Sequence, residues 1–157
     1  MKKLKKIFLF IIMFTFIFTL SGCGTKKSIN VEDFKKIMEK NGYKVVDSTD
    51  QYKEKFTLKK SYIAIDKKKT YQIEFIEFNN LEEAYNIYNI NKKIMEDKKE
   101  NVVSGYINID GKNYSFYKAI SGGKYRALTR IDNTLMYADI NQEYSKEASK
   151  LIKKIGY

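Results

Sequence analysis

Residues 106–140 read YINIDGKNYSFYKAISGGKYRALTRIDNTLMYADI, and this run decides the fold. Apolar and polar side chains alternate along it, interrupted by Asp110-Gly111, Gly122-Gly123 and Asp132-Asn133. Such dipeptides tolerate the positive φ of two-residue hairpin turns, so the four intervening segments are predicted as a β-meander. Treating each as a two-residue loop pairs Ile107 with Tyr114, Ile120 with Tyr125, Phe116 with Thr129, and Thr129 with Met136. Paired residues share a face of the sheet. One face then carries Ile107, Ile109, Tyr114, Phe116, Ile120, Tyr125, Ala127, Ile131, Met136, Ala138 and Ile140, the expected core, with Lys112 and Lys118 as misfits near its edge.

The opposite face carries Tyr106, Tyr117, Arg126, Leu128, Arg130 and Tyr137. The register sets Tyr117, Leu128 and Tyr137 in a row across three strands and places Arg126 opposite Asp139. Both arginines of the chain, set among 28 lysines, fall on this face. Tyrosine offers large contact area at small entropic cost, and arginine captures carboxylate or phosphate bidentately, so this is the candidate binding face. Two plainer readings compete with it. One is a solvated sheet face with Arg126–Asp139 as an ordinary cross-strand pair. In the other, the first-half strands or a second molecule cover it.

Working outward from the meander, Val31–Asn41 has the marks of a helix: Asn30 as cap, acids in the first turn, an apolar stripe of Val31, Phe34, Ile37 and Met38, and Gly42 as a stop. Tyr43–Thr49 reads as a strand and residues 50–60 as a loop. Ser61–Asp66 and Thr70–Phe78 read as a hairpin around Lys67–Lys69. Tyr71, Ile73 and Phe75 share a face, while Glu74 and Glu77 suggest a bulge or an early end. Asn80–Asp97 is the clearest helix. Its apolar residues cover more than half the circumference, which predicts packing from more than one side. Tyr144–Ile155 closes the chain with acids early and lysines late, as the helix dipole favours. A helix-Gly-Tyr ending occurs twice, at Gly42-Tyr43 and Gly156-Tyr157, leaving a duplicated unit as one option. The expected fold is α+β: an antiparallel sheet of the four-stranded meander plus about three N-terminal strands, with helices packed on one face.

Composition narrows the chemistry. The 157 residues suffice for one domain, and there is no His, Trp or Pro and a single Cys. Without His, triad, Cys-His and His-metal chemistry within the chain is excluded. One Cys cannot make an internal disulfide, an iron–sulfur cluster or a structural zinc site. Lys, Ile, Asn, Tyr and Phe, whose codons are AT-rich, supply 83 of the 157 residues. The net charge of +11 therefore reflects a low-GC genome before it reflects a nucleic-acid partner. Glu82-Glu83 suits a helix start better than a catalytic pair, since consecutive residues on a helix point apart. The Asp110–Asn113 run has the composition of part of a calcium loop but lacks its alternating acids.

The first 23 residues carry the most specific pattern. Lys2, Lys3, Lys5 and Lys6 precede the apolar run Ile7–Leu20, which is too short to span a bilayer as a helix. Leu20-Ser21-Gly22 then leads into Cys23, the sole cysteine. This segment resembles the bacterial lipoprotein signal, matching its lipobox at all four positions. The resemblance implies cleavage before Cys23 and a thioether from Cys23 to diacylglycerol. It also implies an anchor in the cell membrane, with the domain on the extracytoplasmic face. The low-GC composition points to a Gram-positive envelope, and the mature part is similar in composition to short, Lys-rich clostridial-type lipoproteins. The expected organisation is a signal peptide over 1–22, a lipidated Cys and tether over 23–29, and one α+β domain over 30–157. Removing the signal takes away four lysines and leaves 26 basic and 19 acidic groups, a diffuse +7.

The function expected from these readings is a non-enzymatic binding domain for an envelope or extracellular partner, without cofactor or metal. Its partners are the membrane, through diacylglyceryl on Cys23, and a protein or anionic wall polymer, but not nucleic acid. Two alternatives differ in what they require. An inhibitor or immunity-type envelope protein requires one tight protein partner. A carboxylate-dependent wall hydrolase requires a cleft with two acids about 5–10 Å apart.

Overall fold

The computed structural model describes residues 24–98 and 103–157. The signal segment and Cys23 lie outside them. In chain order the elements are α1 (Val31–Lys40), β1 (Lys44–Asp47), the one-turn α2 (Thr49–Tyr52), β2 (Leu58–Ile65), β3 (Gln72–Phe78), α3 (Leu81–Asp97), β4 (Val103–Asp110), β5 (Tyr114–Ser121), β6 (Lys124–Ile131), β7 (Thr134–Asn141) and α4 (Ser145–Lys154). A short 3-10 turn, Gln142–Tyr144, joins β7 to α4.

The fold is α+β with a fully antiparallel sheet of seven strands in the order β1-β2-β3-β7-β6-β5-β4. The central β3–β7 pairing joins all the strands into one sheet, so a split into a meander and an N-terminal group is not a division in the structure. The segment expected as a loop over 50–60 instead contains α2 and the start of β2, with the bulge in β2 between Leu58 and Lys60. β3 itself is regular. Glu74 and Glu77 lie on its opposite faces and each has a partner: Tyr52 donates to Glu74, and the Val31 N–H and Lys59 donate to Glu77.

The β5–β6 and β6–β7 registers are those expected, with Ile120 opposite Tyr125 and Thr129 opposite Met136. The first hairpin differs. Ile107 faces Lys118 and Ile109 faces Phe116, and the reversal falls at Lys112-Asn113 rather than Asp110-Gly111. The Gly111 N–H donates to the Tyr114 carbonyl at 2.7 Å. The slide is an even number of residues, so every side chain keeps its face. Tertiary contacts hold this register against the local Asp-Gly signal. The Tyr114 ring lies where a Cβ on Gly111 would stand, 2.2 Å away, and the Asn113 amide donates to Asp132 at 2.9 Å.

Helices cover both faces of the sheet, not one. α1 and α4 pack on the face of Ile73, Phe75, Ala127, Met136 and Ala138, and α3 packs on the opposite face over Ile76, Tyr117, Ala119, Leu128 and Leu135. The reason is geometric. The chain must cross from β3 in mid-sheet to β4 at the far edge, and α3 is that crossover, so it lies against β3, β6 and β7. It buries Ala84, Ile87, Tyr88 and Met95 but leaves Leu81, Tyr85, Ile90 and Ile94 exposed, so it packs from one side only. Ile107 and Ile109, expected in the core, are 41% and 46% exposed because they sit on the edge strand β4, outside the buried cluster under α1 and α4. No helix among the described residues is long and apolar enough to cross a membrane.

The two helix-Gly-Tyr endings are one local device used twice. Gly42 (φ 85°) and Gly156 (φ 93°) adopt left-handed conformations. Their N–H groups donate to Glu39 and Lys153, while those of Tyr43 and Tyr157 donate to Met38 and Ile152, which is the Schellman pattern. Both tyrosines are then buried, with Tyr43 hydroxyl-bonded to Tyr71 and Tyr157 to Thr134.

Candidate functional site

The strands bring the predicted tyrosine–arginine residues together as expected, but α3 lies over them. Tyr117 and Leu128 are fully buried, and Arg126 and Arg130 are 7% and 8% exposed. The face is therefore a second core layer, not an open surface. Its arginines make internal bonds. Arg126 pairs with Asp139 at 3.4 Å and donates to the Ser121 hydroxyl at 3.3 Å. Arg130 donates to the carbonyls of Asn113 and Asp132 and to the Ser115 hydroxyl, fastening the β4–β5 and β6–β7 turns together. The Tyr85 ring covers its guanidinium at 5.5 Å. The two terminal nitrogens of Arg130 are bonded within the fold and a ring covers it, although Nε is buried without a partner, so the guanidinium is not presented to a ligand on an open surface.

Tyr106 is 46% exposed on β4. Its ring meets that of Tyr117 edge-on, and its hydroxyl donates to Glu96 near the end of α3 at 3.4 Å. Of the predicted row, only Tyr137 borders open space. It lies on β7 at the rim of a cleft of about 330 Å³ formed with Tyr52, Phe56, Glu74, Asn91 and Leu135. The cleft exists because α2 packs beside β2 and sends Tyr52 across to Glu74 on β3, next to the middle of α3. Phe56 and Leu58 pack into the same cluster.

The cleft is mostly apolar with a few polar groups. The Tyr52 hydroxyl donates to Glu74 Oε2 at 2.8 Å, and Gln72 donates to Oε1 at 3.1 Å. Burial, together with the Glu74 carboxylate beside it, holds the Tyr52 phenol well above its ordinary pKa. Burial also raises the Tyr137 phenol, reinforced by Asp139 and Glu74. Both phenols therefore stay protonated and serve as hydrogen-bonding groups. Glu74 is the single carboxylate of the lining. Such a cleft suits orienting a ligand that carries an apolar group and a hydrogen-bond donor.

Sequence reasoning had one signal for the buried face. Tyr125 to Ile131 on β6 are all buried, and their sequence, Tyr-Arg-Ala-Leu-Thr-Arg-Ile, places apolar residues on both sides of the strand. A strand apolar on both sides is covered on both sides. Nothing in the local pattern of 50–60 pointed to the cleft, because its walls come from α2, β3, α3 and β7. Among the described residues no three Cys, Asp or Glu side chains are grouped to hold a metal ion. Compared with protein-family models, with curated proteins and with solved structures, the chain shows no match.

Proposed function

We propose that this protein is a lipid-anchored, outward-facing lipoprotein whose small α+β domain binds a partner in the envelope or outside the cell. One observation carries the reading: Leu20-Ser21-Gly22-Cys23, with the chain's sole cysteine, directly after a charged start and a 14-residue apolar run. Two acyl chains on Cys23 hold a domain stably on a membrane, where one alone is marginal. The folded part begins at α1 only eight residues after Cys23, so the domain stays close to its anchor. The cleft of Tyr52, Phe56, Glu74 and Tyr137 is the binding element. It takes an apolar or ring-bearing group whose donor, an amine or hydroxyl, meets Glu74.

Membrane fractionation with intact-mass measurement tests the anchor. The wild-type protein is expected in the membrane at the mass of a diacylglyceryl-modified chain starting at Cys23. Cys23→Ala is expected to release the protein or leave it unprocessed. A membrane-bound, mature-sized Cys23→Ala protein overturns the lipoprotein reading. In-cell crosslinking followed by mass spectrometry tests the binding element: the products are expected to be lost in Tyr137→Ala and Tyr52→Ala, and unchanged products in both remove the cleft.

A further inference from the structure

Between Cys23 and α1 Ile29 packs against the core, and the stretch before it is bound to the sheet's turns. The Lys26 N–H donates to Asn113 Oδ1 at 3.0 Å, and the Asn113 amide donates back to the Lys26 carbonyl at 2.7 Å. The Lys26 ammonium lies 5.2 Å from the centre of the Tyr114 ring, and Ser28 donates to Asp132 at 3.3 Å. The tether is thus bound to the β4–β5 and β6–β7 turns, which share one end of the sheet.

Lys26 is the third residue after Cys23, and an extended chain gains at most about 3.6 Å per residue. The Cys23 backbone therefore cannot lie beyond about 11 Å from that of Lys26, and its sulfur is one side-chain length further at most. The Lys67–Lys69 and Gly122-Gly123 turns are at the opposite end of strands eight residues long, about 25 Å away. If Cys23 carries the lipid, the bilayer meets the Asn113 end.

The surface at that end fits a bilayer. Ile109, on the strand leading into the β4–β5 turn, is 46% exposed; Leu81 and Tyr85, on the first turns of α3, are 59% and 50% exposed. Tyr85 is tied to this end through Arg130, which donates to the Asn113 carbonyl. Exposed Lys26, Lys27 and Lys112 lie on the tether and the β4–β5 turn, while exposed Asp33, Glu82 and Asp110 balance them on α1, the start of α3 and the end of β4. Exposed apolar side chains and a tyrosine ring at the end where a lysine-bearing tether leads to the lipid match the interfacial zone of a lipid surface. We infer that the domain docks on the bilayer through this end, with Ile109, Leu81 and Tyr85 in the headgroup region and the cleft carried on the side of the molecule. The inference rests on the lipoprotein reading and adds an orientation to it.

The test uses the full-length protein purified from membranes and reconstituted into phosphatidylglycerol–phosphatidylcholine vesicles. The native chain has one cysteine, which lipidation consumes, so a second cysteine reacts alone. Ile109→Cys and Lys68→Cys, each carrying an environment-sensitive fluorophore, are compared in vesicles with headgroup nitroxide lipids. Docking predicts strong loss of fluorescence at position 109 and little at 68, with the loss at 109 reduced in Asn113→Ala, where the tether loses its bonds at Lys26. A blocked Cys23 with equal quenching at the two positions, or stronger quenching at 68, overturns the docking alone. A Cys23 thiol that still reacts with maleimide in the purified wild type overturns the lipoprotein reading and the docking with it.

Discussion

Replacing Leu128 with Ala separates a solvated sheet face from one sealed by α3. Leu128 is fully buried in β6, in the cluster of Ile87, Tyr88, Tyr117 and Leu135. The substitution removes three carbons. At about 0.8 kcal/mol for each buried methylene, the transfer loss is about 2.4 kcal/mol. The surrounding walls, one helix and three hydrogen-bonded strands, cannot collapse fully, so a cavity contribution adds to it. The expected destabilisation is ~3 kcal/mol, within the range of buried Leu→Ala changes. Urea unfolding of the chain beginning at Gly24 reads this as a lowered midpoint at unchanged slope. Ile109→Ala, on the exposed edge strand, is the control and is expected to change stability by less than about 0.5 kcal/mol. A Leu128→Ala cost of the same small size would refute the burial of this face beneath α3.

Three further outcomes follow from other parts of the fold. Gly156→Ala tests the left-handed helix end, since a Cβ there meets no atom within 4 Å and only the φ of 93° opposes it. A loss of about 1 kcal/mol in thermal or urea unfolding is expected, and no loss counts against the Schellman geometry. Tyr88→Phe removes a buried hydroxyl that has no hydrogen-bond partner, so stability is expected to hold or to rise by up to about 1 kcal/mol; a clear loss would show that the hydroxyl is bonded in solution. Asp66 closes the β2–β3 turn. Desolvation raises its pKa, but the N–H groups of Tyr71, Lys68 and Thr70 outweigh it and leave the carboxyl below its ordinary value. A carboxyl lowered in the folded state contributes stability above its unfolded pKa of about 3.9, lost as pH falls through the folded value. Asp66→Asn is therefore expected to lower the urea midpoint at pH 7 and to lose less on acidification than the wild type; identical pH profiles would contradict the turn's hydrogen bonding.

Local chemistry was legible at two of the three meander turns and at the caps of the longer helices, but not over residues 50–60. The β5–β6 and β6–β7 registers follow from Gly122-Gly123 and Asp132-Asn133, because a two-residue turn dictates which residues face each other. The caps of α1 and α3 follow from Asn30 and Asn80, whose side chains accept from Asp33 and Glu83 as the spacing implies. The β4–β5 turn was misplaced because Asn113 is held by Lys26 and Asp132, partners far along the chain.

The amino-acid sequence alone determined the meander, its alternation of faces, the three longer helices, and the lipobox-like pattern Leu20-Ser21-Gly22-Cys23. Each is written within a few turns of chain, where covalent spacing controls which groups meet. Only the tertiary structure decided what covers the tyrosine–arginine face and where an open cleft remains. That depended on the path of α3 from mid-sheet β3 to the edge strand β4, and alternation cannot report on it: a face rich in Tyr, Leu and Arg reads the same whether water or a helix lies against it. Burial under α3 turned Arg126 and Arg130 from candidate ligand-binding groups into internal fasteners, and moved the open aromatic surface to Tyr137, Tyr52 and Phe56.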